Sequence, residues 1–212
     1  MADTSEGRSR TADRSPAEIA RLAYRKLVYR KVEMGRFGAL AKDHVPVAPP
    51  TELRLEVLGK DSYRSVMGTS PHLTAEDIDD FDRQASFCIV ALDGDRIAAS
   101  TWMTWGDVHV HELHRTIEVP PGQHFSTRSY VDPDYRGQAL LSHMVNHYAD
   151  RQAPNDEIWG FIYHWNAASI RSFDKIGWTW TGDYWTRFVL GRKIFGHRRF
   201  PGRPVMDAVR PR

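Results

Sequence analysis

One segment constrains the fold more than any other: Val131-Asp132-Pro133-Asp134-Tyr135-Arg136-Gly137-Gln138-Ala139-Leu140-Leu141. Residues 124–131 read as a strand, and residues 139–149 read as the helix it feeds. Between them Pro133 marks a turn, and Gly137 allows the chain a backbone conformation that other residues avoid. A strand that passes through such a turn into a helix points backbone N–H groups at one spot, which suits a phosphate. A second junction follows. Residues 158–164 read as a strand, and Asn166-Ala167-Ala168-Ser169-Ile170-Arg171-Ser172-Phe173-Asp174-Lys175-Ile176-Gly177-Trp178 reads as a short helix stopped by glycine. Together the two junctions point to a ligand that carries a pyrophosphate.

The rest of the chain organises around them. Residues 1–14 are polar and read as a disordered tail. Ser15, Pro16 and Glu18 make a helix start, and Ile19, Leu22, Ala23, Leu27 and Val28 then predict an amphipathic helix reaching towards Val32. Its other face is basic, with Arg21, Arg25, Lys26 and Arg30, so it could meet an anionic lipid or an acidic protein, or simply pack on the domain or a dimer mate. The prolines of residues 45–50 read as a stiff linker. The expected organisation is therefore a tail at 1–14, a basic helix and linker at 15–50, the main domain at 51–195 and a basic tail at 196–212.

Within the main domain, strands are expected at 53–57, 87–92, 97–105, 124–131 and 158–164, with one or two more across 178–195. Helices are expected at 61–67, 74–84, 139–149 and 167–175. This order predicts an α/β or α+β fold, a mixed sheet with helices on both faces, preceded by an N-terminal helical extension. A net charge of +2 is too mild to argue for nucleic acid. Cys88 stands alone between Phe87 and Ile89, which excludes an internal disulfide and predicts a buried strand residue in a reducing compartment. With no apolar leader and no spanning run visible, cytoplasmic residence is the expectation.

From about Thr51 to Arg192 the chain resembles the GNAT superfamily of acyl-CoA-dependent N-acyltransferases. Val131, Pro133, Tyr135, Arg136 and Gly137 match one of its motifs, and Asn166, Ser169, Phe173, Lys175, Gly177 and Trp178 match another. The resemblance implies a mostly antiparallel central sheet and acetyl-CoA or another acyl-CoA as co-substrate. It implies that Tyr130 and Val131 meet the pantetheine arm, that Arg136, Gly137, Gln138, Ala139, Leu140, Leu141 and Ser142 surround the pyrophosphate, and that Asn166, Ser169 and Phe173 complete the donor site. It also implies acyl transfer to a primary amine by direct attack. A small-molecule amine is the expected acceptor.

The sequence departs from the pattern in three places. Ala139 and Leu141 stand where the loop ordinarily has glycine, which raises an acyl carrier protein as an alternative donor. Phe173 stands where a tyrosine often protonates the departing thiolate, leaving Tyr163 or Tyr184 as acids. No carboxylate lies in the strand at 124–131, so the base is sought among Glu112, Glu118, His124 and His164. A third reading, a CoA-sensing domain without chemistry, follows from Phe125 and Phe173. The insertion at 106–122 is expected to wall the acceptor pocket, with Trp102, Trp105 and Trp165 either as apolar surface there or as core packing. His109, His111 and His114 lack further ligands nearby, so no metal is expected.

Overall fold

The computed structural model describes residues 15–16, 29–47, 53–59, 62, 75–190 and 192–209. Its strands are β1 (Tyr29–Leu40), β2 (Arg54–Leu58), β3 (Ala85–Asp93), β4 (Arg96–Val110), β5 (Arg115–Val119), β6 (Gln123–Val131), β7 (Glu157–Ile162), β8 (Thr179–Val189) and β9 (Arg192–Arg203). The helices are α1 (Ala75–Arg83), α2 (Leu140–Ala149) and α3 (Ala167–Asp174). Eight strands follow the order β2-β3-β4-β6-β7-β1-β8-β9, and β5 pairs with β4. Among these pairings only β6 with β7 is parallel. The mixed, mostly antiparallel sheet is the fold the sequence predicts.

Both faces of the sheet are covered, and the strands show it by alternation. In β3, Ile89 and Ala91 join α2 and α3 in one core, while Cys88, Val90 and Leu92 join Ile78 and Phe81 of α1 on the opposite face. Each such large side chain contributes about 1.5–3 kcal/mol by leaving water. A third cluster holds Met34, Val108, Val110, Leu113, Phe125, Trp159 and Tyr184 beneath the β4–β5 hairpin. There β4 runs past the expected end at Trp105 to Val110, then turns through His111–Leu113 into β5.

The two ends of the chain depart from expectation. The helix expected over 15–32 falls mostly on residues outside those described, but Lys31 and Val32 lie in β1, a strand seated between β7 and β8. The sheet therefore starts at Tyr29, ahead of the expected domain start at Thr51. At the other end, the expected basic tail at 196–212 is strand β9 as far as Arg203, followed by a turn whose Val205 and Ala208 are fully buried. Burial of those two apolar side chains against α3 outweighs the charge of the arginines, which project outward. The expected helix at 61–67 lies almost wholly outside the described residues. None of the helices described is long and apolar enough to cross a membrane.

Candidate active site

The site begins where two strands part. β6 and β7 pair only from Gln123–Glu157 to Ser126–Gly160. At that last rung a Cβ on Gly160 would stand 2.9 Å from the Ser126 carbonyl oxygen, so only glycine lets the strands come so close. Beyond it β7 stays with β1, and β6 stays with β4 through a bulge. Three steps of β6, from Thr127 to Tyr130, match two steps of β4, from Trp102 to Ser100. Arg128 takes the surplus in a left-handed conformation, φ 49°. Thr101 sits opposite the bulge, its hydroxyl 2.8 Å from that of Ser129 and 3.2 Å from that of Ser126.

The bulge decides which way the backbone of β6 faces. Asp132 donates its N–H to the Ala98 carbonyl of β4 at 2.9 Å. Backbone groups alternate sides along a strand, so the N–H and C=O of Val131 point away from β4 and into the gap. The chain then turns through Pro133–Tyr135, where the Asp132 carboxylate accepts from the Asp134 N–H. Arg96 clasps this turn through Asp132 and Asp134, while the Tyr135 hydroxyl donates to Asp93 at 2.6 Å.

Gly137 and Ala139 follow with φ of 86° and 56°. Ala139 thus adopts the left-handed conformation expected of glycine. His143 makes the first helical hydrogen bond of α2, to the Ala139 carbonyl, leaving the amides ahead of it without a partner inside the helix. These elements bound a groove of about 540 Å³. Tyr130, Val131, Arg136, Gly137, Ala139, Leu140, Leu141, Asn166 and Ser169 all line it. Gln138 is exposed beside it. Ser142 is buried and donates its hydroxyl to the Ser172 carbonyl at 2.6 Å, tying α2 to α3. Asn166 caps α3, its Oδ1 accepting from the Ser169 N–H at 3.2 Å.

A second cavity of about 370 Å³ adjoins the groove, sharing Ser129, Tyr130, Leu141, Asn166 and Ser169 with it. Its walls include Met34, Val110, Phe125, Phe161, Tyr163 and Phe173. Phe173 stacks on Trp178 at 4.2 Å between centroids, as packing rather than as an acid. Tyr130 is held above the ordinary phenol range by burial and then by Asp132.

Of the candidate bases, Glu112 alone lines this cavity. His124 and Phe125 are neighbours in a strand, so their side chains face opposite ways. Phe125 lines the cavity, and His124 points to α2, 3.1 Å from the Tyr148 hydroxyl and 3.4 Å from Asp156. The same alternation brings Tyr163 to the cavity and buries His164, 2.9 Å from the Ala208 carbonyl and 3.1 Å from Asp183. Both histidines tie elements together and neither lines the cavity. Glu118 is exposed on β5. Tyr184 is buried and accepts from Arg199, apart from the cavity lining.

The tryptophans take the packing alternative. Trp102 stacks on Phe81, Trp105 packs near Phe87 and His124, and Trp165 stacks on Tyr163, so the hairpin walls the cavity through Val110 and Glu112 instead. His109 contacts Thr116, His111 contacts Asp80 and His114 packs on Phe188. Glu33, His164 and Asp183 bring three ligand-type atoms within 4.8 Å of one another, a group unseen in sequence. Asp183 there also accepts from Arg198 at 2.7 Å and Trp180 at 3.1 Å. The hydroxyls of Thr101, Ser126 and Ser129 were likewise unanticipated; the available signal was their polarity within otherwise apolar strands.

Comparison with known proteins places this geometry. Residues 57–178 match the family model described as the Acetyltransferase (GNAT) family. No curated protein matches the chain. Among solved structures, a Staphylococcus epidermidis protein of unknown function is similar at 9% identity and TM-score 0.53, over 82% of this chain and 68% of that one. A tandem GNAT protein from the clavulanic acid biosynthesis pathway is similar at 14% identity and TM-score 0.50, over 88% of this chain and 59% of that one. A Drosophila protein matches at 13% identity and TM-score 0.48, over 82% of this chain; this chain spans 57% of that one. At these identities the Staphylococcus and tandem GNAT structures speak for the fold alone, and the family model covers more than half of the chain: it belongs to the GNAT acetyltransferase family.

Proposed function

We propose that the chain transfers an acyl group, acetyl in the simplest case, from acyl-CoA to a primary amine by direct attack on the thioester. The supporting observation is the open edge of β6 at Val131, continuous on one side with the amides before α2 and on the other with a separate cavity. The pyrophosphate lies against those amides, where the helix dipole favours negative charge. The pantetheine arm extends along Val131 as an added strand would, with the Asn166 amide group beside it. This puts the thioester where groove and cavity share their lining.

The amine approaches from the cavity. Glu112 takes one proton from the ammonium, directly or through a water. The neutral nitrogen attacks the thioester carbon, forming the C–N bond, and a backbone N–H near Val131 stabilises the oxyanion. Collapse breaks the C–S bond, and the second amine proton passes to the sulfur, giving amide and free thiol. Tyr130 and Tyr163 are the phenols within reach of that transfer; the raised Tyr130 keeps its proton at neutral pH. Direct attack is favoured over an acyl-enzyme because the lone cysteine, Cys88, is fully buried and its thiol is pushed far up by that burial. A cytoplasmic setting is part of this reading.

Isothermal titration with acetyl-CoA and CoA tests the donor half. Saturable binding is expected, and no binding at about millimolar ligand would sink it. A second reading, acyl carrier protein as donor, is favoured by exposed Arg192, Lys193, Arg199 and Arg203 on edge strand β9, which suit an acidic partner. Matched acyl-CoA and acyl-carrier donors separate the two by rate.

A further inference from the structure

The cavity beside the donor groove has an uneven chemistry. Met34, Val110, Phe125 and Phe161 give it apolar walls from four different strand segments, and the Phe125 and Phe161 rings meet edge to face at 5.4 Å. Against these walls stands the carboxylate of Glu112, half-buried and with no hydrogen bond or ion pair among the described residues. Its position is not that of a loose surface acid. The turn His111–Leu113 that carries it is pinned by Leu113, fully buried, and by Thr186 of β8, whose hydroxyl donates to the Leu113 carbonyl at 2.5 Å. The His114 N–H closes the turn on the His111 carbonyl at 3.0 Å. A side chain on a turn held this firmly keeps its place without using its own charge to do so.

From this we infer that the acceptor is a cationic primary amine on a hydrophobic body, aromatic or aliphatic, without a carboxylate of its own. The inference rests on the acyl-transfer reading and adds the substrate class to it. The ammonium meets Glu112 and the body fills the space between Met34, Val110 and Phe161. A half-buried carboxylate gains most from a cation that excludes water from it, and apolar walls gain most from a ligand of like character. The polar lining at Ser129, Tyr130, Asn166 and Ser169 is shared with the donor groove and Ser126 is paired with Thr101, so an amino sugar seated against Met34, Val110 and Phe161 leaves hydroxyls unpaired. An amino acid adds a second anion to a cavity that already holds Glu112, and among the described residues Arg128, which also borders the small neighbouring pocket of His109 and His111, is the one cation in its lining.

The experiment titrates 2-phenylethylamine, hexylamine, L-phenylalanine and glucosamine into the full chain by calorimetry, with and without CoA. The first two are expected to bind, and the other two to bind at least about tenfold more weakly. Glu112→Gln is expected to weaken both hydrophobic amines by about tenfold or more, with Glu112→Asp recovering part of the loss and melting temperatures unchanged. Equal or tighter binding of glucosamine overturns the inference, and tighter binding of L-phenylalanine overturns its exclusion of a carboxylate. Failure of every amine to bind, or indifference to Glu112→Gln, overturns it too. Acetyl-CoA titrated in parallel reports on the donor reading separately, since an intact donor site with no amine binding condemns the substrate class alone.

Discussion

Ala139 shows how a residue can look wrong in sequence and still keep a loop's geometry. The absence of glycine there raised an acyl carrier protein as an alternative donor, yet the backbone takes the left-handed turn at φ 56°. An alanine held there costs roughly 1–2 kcal/mol. Ala139→Gly should release that strain and lose part of the gain to a more flexible unfolded chain, for a net stabilisation of about 0.5–1 kcal/mol. Urea unfolding of the two proteins measures it, and acetyl-CoA affinity should not fall. Sequence alone made the turn from β6 into α2 legible, because Pro133, Arg136 and Gly137 each carry a backbone meaning. It could not say that a strained alanine stands in for glycine, since tolerance of strain is set by the packing of Leu140 and its neighbours beneath.

At the scale of an element, α3 combines two roles in one side chain. The Oδ1 of Asn166 caps the helix through Ser169, and its Nδ2 is left for the groove. Asn166→Ala should cost about 1 kcal/mol of stability as a lost cap. Asn166→Asp keeps the cap, removes the donor and adds a charge, so its melting temperature should hold while acetyl-CoA affinity drops. A melting temperature and a titration for each variant separate the roles. β1 was the element sequence hid best. Basic residues at helical spacing disguised its entry, but Gly35 and Gly38 were signals against a helix. A Cβ at Gly38 would sit 2.5 Å from that of Trp159, a contact that exists only because β1 lies flat beside β7. That neighbour is far off in sequence, so no local pattern reveals it.

Across the whole molecule, stability should depend on pH through histidines kept neutral. His44 lies below the ordinary value of 6.5, chiefly from burial, against opposing contributions from the Asn146 hydrogen bond, Asp150 and Asp43. Its Nδ1 bonds Asn146 at 3.1 Å and its Nε2 accepts from Trp178 at 3.4 Å, so a second proton breaks the Trp178 bond. His143 and His147 are lowered as well, first by burial. With folded values below the unfolded one, the unfolded chain takes up protons first. Stability is then complete above about pH 6.5 and declines as the pH falls below it. Urea midpoints at about pH 7.5 and 5.5 should show the decline, and His44→Gln should make it shallower. Trp178 belongs to the cavity wall, so acid loosens the site together with the fold. Strands β2, β3, β6 and β7 and helices α1 to α3 were legible because alternation and helical period are local, whereas the cavity was not, since Met34, Val110 and Phe161 meet only after folding. The same holds for the bulge at Arg128, which acts as a change of phase. Upstream of it β6 spends its backbone on both neighbours, and one surplus residue later the free edge at Val131 faces empty space. Excising that residue would bring β6 back into step with β4 and turn Val131 inward, leaving a sheet of the same strands with no seam for a ligand to enter.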